Sequence, residues 1–284
     1  MKKFLIAAAL AVFSTTGANA ADMAARPYTK APPVAPSYNW TGFYAGVNVG
    51  GGWSSTDASY TANDAFGLNI LIPAGINFPA NGDRFKASGI LGGLQAGYNY
   101  QFDRRWVAGL EADFQGADIS GSTATQYLGA LENTTASNSI KYFGTFRGRL
   151  GYLPTDRLLT YVTGGLAYAQ LNNATSLNTA NGGNVGGSSG GFSANCGLGA
   201  PTTNVCYAGS SSSLTAGWTV GGGLEYAFAP NWSLKAEYLY ANFRQSLTAV
   251  APTPAAGNAP STYGARFITD LNIARVGLNY QFGR

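Results

Sequence analysis

The chain has 284 residues, of which 45% are hydrophobic and only 11% charged, with 39 glycines, 17 tyrosines, 15 phenylalanines and no histidine. A soluble domain of this size carries about a quarter charged residues. Past the N-terminal segment no apolar run is long enough for a membrane-crossing helix. What remains is an exported β-rich chain, either a soluble sandwich or a transmembrane β-barrel. The absence of His removes Ser-His triads and His-based zinc sites.

In chain order, residues 1–20 form a secretory signal peptide. Lys2 and Lys3 are its charged end, Phe4 to Phe13 its apolar stretch, and Ala18-Asn19-Ala20 its cleavage site. Without Lys2 and Lys3, 15 cations face 13 acids. The remaining chain is nearly balanced, has no basic stripe, and offers nothing to nucleic acid. Residues 21–39 hold four prolines and little that can pack, which reads as an extended periplasmic linker. Alternating segments then predict strands near 40–53, 88–102, 105–114, 140–152, 158–171, 214–228, 231–243 and 267–282. Three connections are short: 103–104, 153–157 and 229–231. Four are long: 54–87, 115–139, 172–213 and 244–266. Long and short alternate, so in an antiparallel meander every long loop leaves from one end and every short turn from the other. An even-stranded outer-membrane barrel has that layout, and a soluble sandwich has no reason for it. The fold class expected is all-β: an eight-stranded antiparallel up-and-down transmembrane barrel over 40–284.

The strand faces agree. In 88–102, Gly92, Leu94, Ala96, Tyr98, Tyr100 and Phe102 share one face, with Gly93, Gln95, Gly97, Asn99 and Gln101 on the other. In the first strand Phe43, Ala45, Val47 and Val49 alternate with Tyr44, Gly46, Asn48 and Gly50. The apolar face suits lipid and the polar face a lumen. Trp40 and Trp53 fall near the ends of one crossing. Segment 158–171 is mixed on both faces, and its phase stays unassigned. One hairpin recurs without a gap, "GYNYQFDRRWVAGLEADF" (97–114) and "GLEYAFAPNWSLKAEYLY" (223–240). Aromatics flank its short turn. Phe102, Trp106, Tyr152, Phe228, Trp232 and Phe282 are expected in an interfacial girdle, where amphipathic rings sit well. Loop 172–213 carries no charge. Within it Cys196 and Cys206 read as a loop disulfide, since exported chains meet an oxidising compartment.

The lumen face collects charge: Glu111, Asp113, Lys141, Arg147, Arg149, Glu225, Lys235, Glu237 and Arg275. Eight strands leave a space that side chains nearly fill, and an unpaired buried charge is costly there. The expectation is a paired polar plug, with a narrow ion path as the alternative. Glu111 and Asp113 have the composition of an acid/base pair, but they lie two apart on one strand with cations nearby. No catalytic motif stands out, the Gly-rich runs lie in strands rather than before a helix, and the chain reads as a non-enzyme with no cofactor.

The signal peptide, "APPVAPSYNWTGFYAGVNVGGGW" (31–53), "YFGTFRGRLGY" (142–152), "TYVTGGLAY" (160–168) and "RVGLNYQFGR" (275–284) together resemble the small alphaproteobacterial outer-membrane β-barrel proteins of the RopB type, a porin-family group. The resemblance spans the chain outside the long loops. It implies a barrel in the outer membrane, in contact with its lipids and lipopolysaccharide and inserted by the barrel-insertion machinery. It also implies a part in envelope integrity, with loops that meet host or environment. Some members are described as porins and some as hemin binders. With no His, and Met only at Met1 and Met23, an iron ligand here would have to be Tyr or Cys. Family members usually end on an aromatic residue, whereas Gly283 and Arg284 follow Phe282 here. Oligomeric state is not readable from the sequence.

Overall fold

In a computed structural model, residues 38–63, 82–127, 132–179, 205–250 and 262–283 are described. The signal peptide and most of the linker lie outside them. Eight strands follow one another: β1 Gly42–Ala62, β2 Asp83–Gln101, β3 Trp106–Tyr127, β4 Glu132–Thr155, β5 Leu158–Thr179, β6 Val205–Ala227, β7 Trp232–Val250 and β8 Thr262–Gln281. Each pairs antiparallel with the next, and β8 pairs with β1 to close the barrel. Through the lipid-facing belt, closure pairs each strand's backbone on both sides, the condition for crossing lipid without a helix.

The lipid-facing rows are those the alternation indicates. Phe43, Val47, Val49, Leu94, Leu110, Phe146, Leu224 and Val276 all point outward and are exposed. Their partners Tyr44, Asn48, Gln95, Glu111 and Glu225 point inward and are buried. In β5 the inward row is Leu159, Tyr161, Thr163, Ala167, Ala169 and Leu171, and Val162 and Leu166 face out. Aromatics bound this belt at both ends. At the short-turn end Trp106 packs on Tyr152 (ring centroids 5.3 Å apart) and Trp232 on Tyr280 (5.0 Å), while Phe102, Phe228 and Phe282 are exposed beside them. At the other end Trp53 lies against Tyr238, Phe114 against Tyr142, and Trp218 against Tyr240. From Phe43 to Trp53 the strand advances about 34 Å. Tilted as barrel strands are, that is a belt about 25 Å tall.

The strands run well past the second girdle, further than the alternation suggested. Most of 115–139 is strand, leaving only 128–131 between β3 and β4. Beyond the girdle the polarity reverses. Ala58, Phe85, Ala136, Leu247, Ala249, Tyr263, Ala265 and Phe267 cluster inside, and Asp57, Arg84, Ser120, Ser122 and Ser246 face out. That is the pattern of a barrel wall standing in water.

Lys141 corrects the lumen assignment. Counting alternate residues back from Arg147 puts it inside, but β4 carries one extra residue relative to β5 between Ile140 and Phe143, and β3 one extra relative to β4 between Gly116 and Ile119. Such a bulge reverses the facing of everything beyond it. Phe143 and Ile140 both point in, and Lys141 is exposed on the outer wall, 3.7 Å from Asp118. Trp40 lies at the short-turn end of the first crossing, as its spacing suggested, but faces inward rather than toward lipid. It is 1% exposed and donates its indole N–H to the Asp156 carbonyl at 3.1 Å. With Tyr38, Val107, Leu153, Leu159, Tyr161 and Ala227 it closes the short-turn end of the barrel. The Cys196–Cys206 pairing falls outside the described side chains.

Candidate functional site

Of the nine lumen charges named from the sequence, eight meet in one layer across the barrel. Glu111 and Asp113 come from β3, Arg147 and Arg149 from β4, Glu225 from β6, Lys235 and Glu237 from β7, and Arg275 from β8. Register brings them level: Glu111 lies opposite Arg147, Glu225 opposite Lys235, and Glu237 opposite Arg275. Four acids and four bases leave the layer neutral.

Arg147 is the hub. Its guanidinium donates to Glu237 Oε1 at 3.0 Å, to Asp113 Oδ2 at 3.1 Å and to Glu111 Oε1, and its Nε donates to Thr145 Oγ1 at 2.8 Å. Arg275 holds Glu237 Oε2 at 2.7 Å and Asp113 Oδ2 at 2.9 Å. Lys235 Nζ sits 2.9 Å from both oxygens of Glu111. Arg149 reaches Glu225 at 3.1 Å and Asn99 at 2.8 Å. Its Cζ lies 5.0 Å from the ring centroids of both Tyr44 and Tyr161. Cation–π contact of this kind suits a weakly hydrated guanidinium.

Neutral donors complete the acids. Tyr44 donates to Glu111 at 2.6 Å, Tyr161 to Glu237 at 2.9 Å, Thr145 to Asp113 at 2.7 Å, and Ser233 and Asn279 to Glu225 at 2.6 and 2.8 Å. These helpers were not identified from the sequence. Tyr44 stood on the inward row and was legible in principle, whereas Tyr161 belongs to the strand whose phase was unassigned. Among the described residues the layer and the amides beside it leave Arg275 Nη1, Asn48 Oδ1 and Gln115 Oε1 unpaired.

Burying ions costs several kcal/mol each, and only close pairing with saturated hydrogen bonding offsets it. All eight charged side chains are no more than 3% exposed. The reason is what lies above and below. Toward the short turns is the Trp40 cluster. Toward the long loops is a second apolar layer of Leu91, Ile119, Ile140, Phe143, Leu171, Leu239, Phe243, Leu271 and Ile273. A polar layer follows, in which Asn138 donates to Asn173 at 2.6 Å, Asn173 to Gln245, and Thr56 pairs with Thr269.

Glycine makes room for the layer. A Cβ at Gly50 would come within 2.7 Å of the Arg275 Cβ, and one at Gly97 would overlap the Tyr44 hydroxyl and lie 2.5 Å from the Leu110 carbonyl. Glu111, Asp113 and Glu237 are each held by several cations, and Glu225 by Arg149 with Ser233 and Asn279, so none is free to take a proton from a reacting group, and no group of His, Cys, Asp and Glu among the described residues could hold a metal. What the arrangement does is fasten all eight strands together at one level.

Residues 5–282 match the outer membrane protein beta-barrel domain family. The chain is 34% identical over 288 residues to the 31 kDa outer-membrane immunogenic protein of Brucella melitensis, covering 99% of this chain and all of that one. It is 26% identical over 279 residues to the 25 kDa outer-membrane immunogenic protein of Brucella canis, covering 98% and 96%. Among solved structures it is similar to OprG of Pseudomonas aeruginosa, at 14% identity and a TM-score of 0.39, over 87% of this chain and 99% of that one. The layered barrel is therefore an outer-membrane protein, and the chain belongs to the outer membrane protein beta-barrel domain family.

Proposed function

We propose that the protein is a sealed, non-conducting barrel that braces the outer membrane, its short turns in the periplasm and its long-loop end outside the cell. The observation that carries this reading is the neutral charge layer, fully buried between two apolar layers. An ion path would need a hydrated route past both. Barrels of this class place short turns inside and long loops outside. The names of the Brucella relatives as immunogenic outer-membrane proteins support a long-loop end that reaches the surface. Insertion by the barrel-assembly machinery belongs to the same reading.

Cells lacking the protein test it. A structural role predicts greater sensitivity to detergent and osmotic shock, with unchanged uptake of small hydrophilic solutes. Slower uptake in an envelope of unchanged strength would point to a channel and contradict the proposal.

A further inference from the structure

Above the second girdle the outer wall is divided by charge. On β3 to β6 its outward residues include Ser120, Ser122, Ser137, Ser139, Gln170, Asn172, Ser210 and Ser212, and among the described side chains its charges are the mutually paired Lys141 and Asp118. On β7, β8, β1 and β2, contiguous through closure, four exposed cations stand out: Arg244, Arg266, Arg84 and Lys86.

The ladder fixes their arrangement. Tyr240, Asn272, Trp53 and Ser88 form the girdle row. The next row up holds Asn242, Asp270, Ser55 and Lys86, the next Arg244, Ile268, Asp57 and Arg84, and the third Ser246, Arg266 and Ser59. Two acids lie among them, and both are engaged. Arg84 donates to Asp57 through Nη2 at 2.8 Å and through Nε, and Tyr240 and Asn242 donate to Asp270 at 2.6 and 2.7 Å. Lys86, Arg244 and Arg266 make no ion pair among the described residues.

Each row rises about 5 Å along the membrane normal, from about 3.4 Å per residue and a tilt near 40°. The patch thus stands about 5–15 Å above the aromatic girdle. Three strand steps put Arg244 about 14 Å from Arg84.

We infer that this face is a binding site for an outer-leaflet lipid whose headgroup carries two separated phosphates, held by Lys86, Arg244 and Arg266, with Arg84 at its edge. The girdle of Trp53, Tyr238 and Tyr240 sets the depth at which such a headgroup begins. The cations point outward from the barrel wall just above the girdle, toward the headgroup layer of the surrounding leaflet. Their spread is too wide for one phosphate, and a disaccharide phosphorylated at both ends spans it. The inference rests on the proposed placement of this end in the outer leaflet but is independent of whether the barrel conducts.

The test uses the refolded protein in phosphatidylcholine nanodiscs doped with diphosphorylated lipid A or with its dephosphorylated form. Native mass spectrometry counts retained lipid A. The protein should retain the phosphorylated form preferentially. The Lys86→Gln/Arg244→Gln/Arg266→Gln variant should lose that preference, by about fivefold per cation, while Lys141→Gln keeps it. Higher salt should weaken it, because the pairs are exposed. The single variant Arg266→Glu supplies a second reading if the triple variant refolds poorly. A preference that survives both variants, or equal retention of the two lipids by the unaltered protein, would overturn the inference. So would capture of a soluble polyanion with no lipid preference. Both lipids are present in both leaflets, so a reversed orientation or a conducting barrel leaves the outcome unchanged.

Discussion

Replacing Arg147 with Met removes one positive charge from a layer in which four acids and four bases balance. Arg147 contacts Glu111, Asp113 and Glu237 at once, and its own side chain is fully buried. The variant leaves a net negative charge buried between two apolar layers. Breaking a buried pair from one side costs about 3–5 kcal/mol, and three acids share this partner. The loss should fall in that range or somewhat above it. Removing Glu237 as well, in Arg147→Met/Glu237→Gln, restores neutrality. The double variant should then be less destabilised than the sum of the singles, by about 0.5–3 kcal/mol. Five tryptophans report unfolding in denaturant from lipid vesicles. Lys141→Gln, on the exposed pair, should leave the midpoint where it is. A loss of under about 1 kcal/mol for Arg147→Met, the scale of a surface pair, would refute the claim that this layer fastens the barrel.

Three further outcomes follow from the packing. Gly97→Ala drives a Cβ into the Tyr44 hydroxyl and the Leu110 carbonyl and should cost about 1–3 kcal/mol in the same unfolding assay. Trp40→Ala empties the short-turn plug and should cost about 3–5 kcal/mol; an unchanged midpoint would mean that Trp40 merely rests on the mouth. Between Ala208 and Gly217 the β6–β7 ladder lapses, and Gln245 bridges the gap to Ser211 and Ser213. Amides of 209–216 that face β7 should exchange with solvent faster than the alternate ones that pair with β5, as hydrogen-exchange NMR would show.

Much of this molecule is legible in its sequence because lipid imposes sharp contrast. Within the belt, Leu94 beside Gln95 and Leu224 beside Glu225 leave no doubt about facing. The eight charges of the layer follow by parity. What escaped reading escaped for physical reasons. Lys141 lies across a bulge, and one extra residue in β4 defeats any count by twos. The outer ends of β3 and β4 carry Ser, Thr, Asn and Ala on both faces, so their alternation has little amplitude. β5 looked mixed because its inward row passes through several layers, apolar at Leu159, polar at Thr163 and apolar again at Ala167 to Leu171. Spacing put Trp40 near the end of a crossing but could not give its facing; the chain turns it into the mouth, where its N–H finds the Asp156 carbonyl.

The lipid belt has its own check. Leu94→Arg places a cation on the outward face near the middle of the belt and should cost about 2–4 kcal/mol. Ser122→Arg, outward beyond the second girdle, should cost nothing measurable in the same vesicles.

The central claim is that three interior layers seal the barrel, and single-channel recording of the refolded protein in planar bilayers tests it most directly. The account predicts silence under conditions where a control porin conducts, and silence again for Arg147→Ala or Glu237→Ala wherever those variants remain folded. Reproducible conductance steps from the unaltered protein, changed in size by either substitution, would place ions in the charge layer and contradict it.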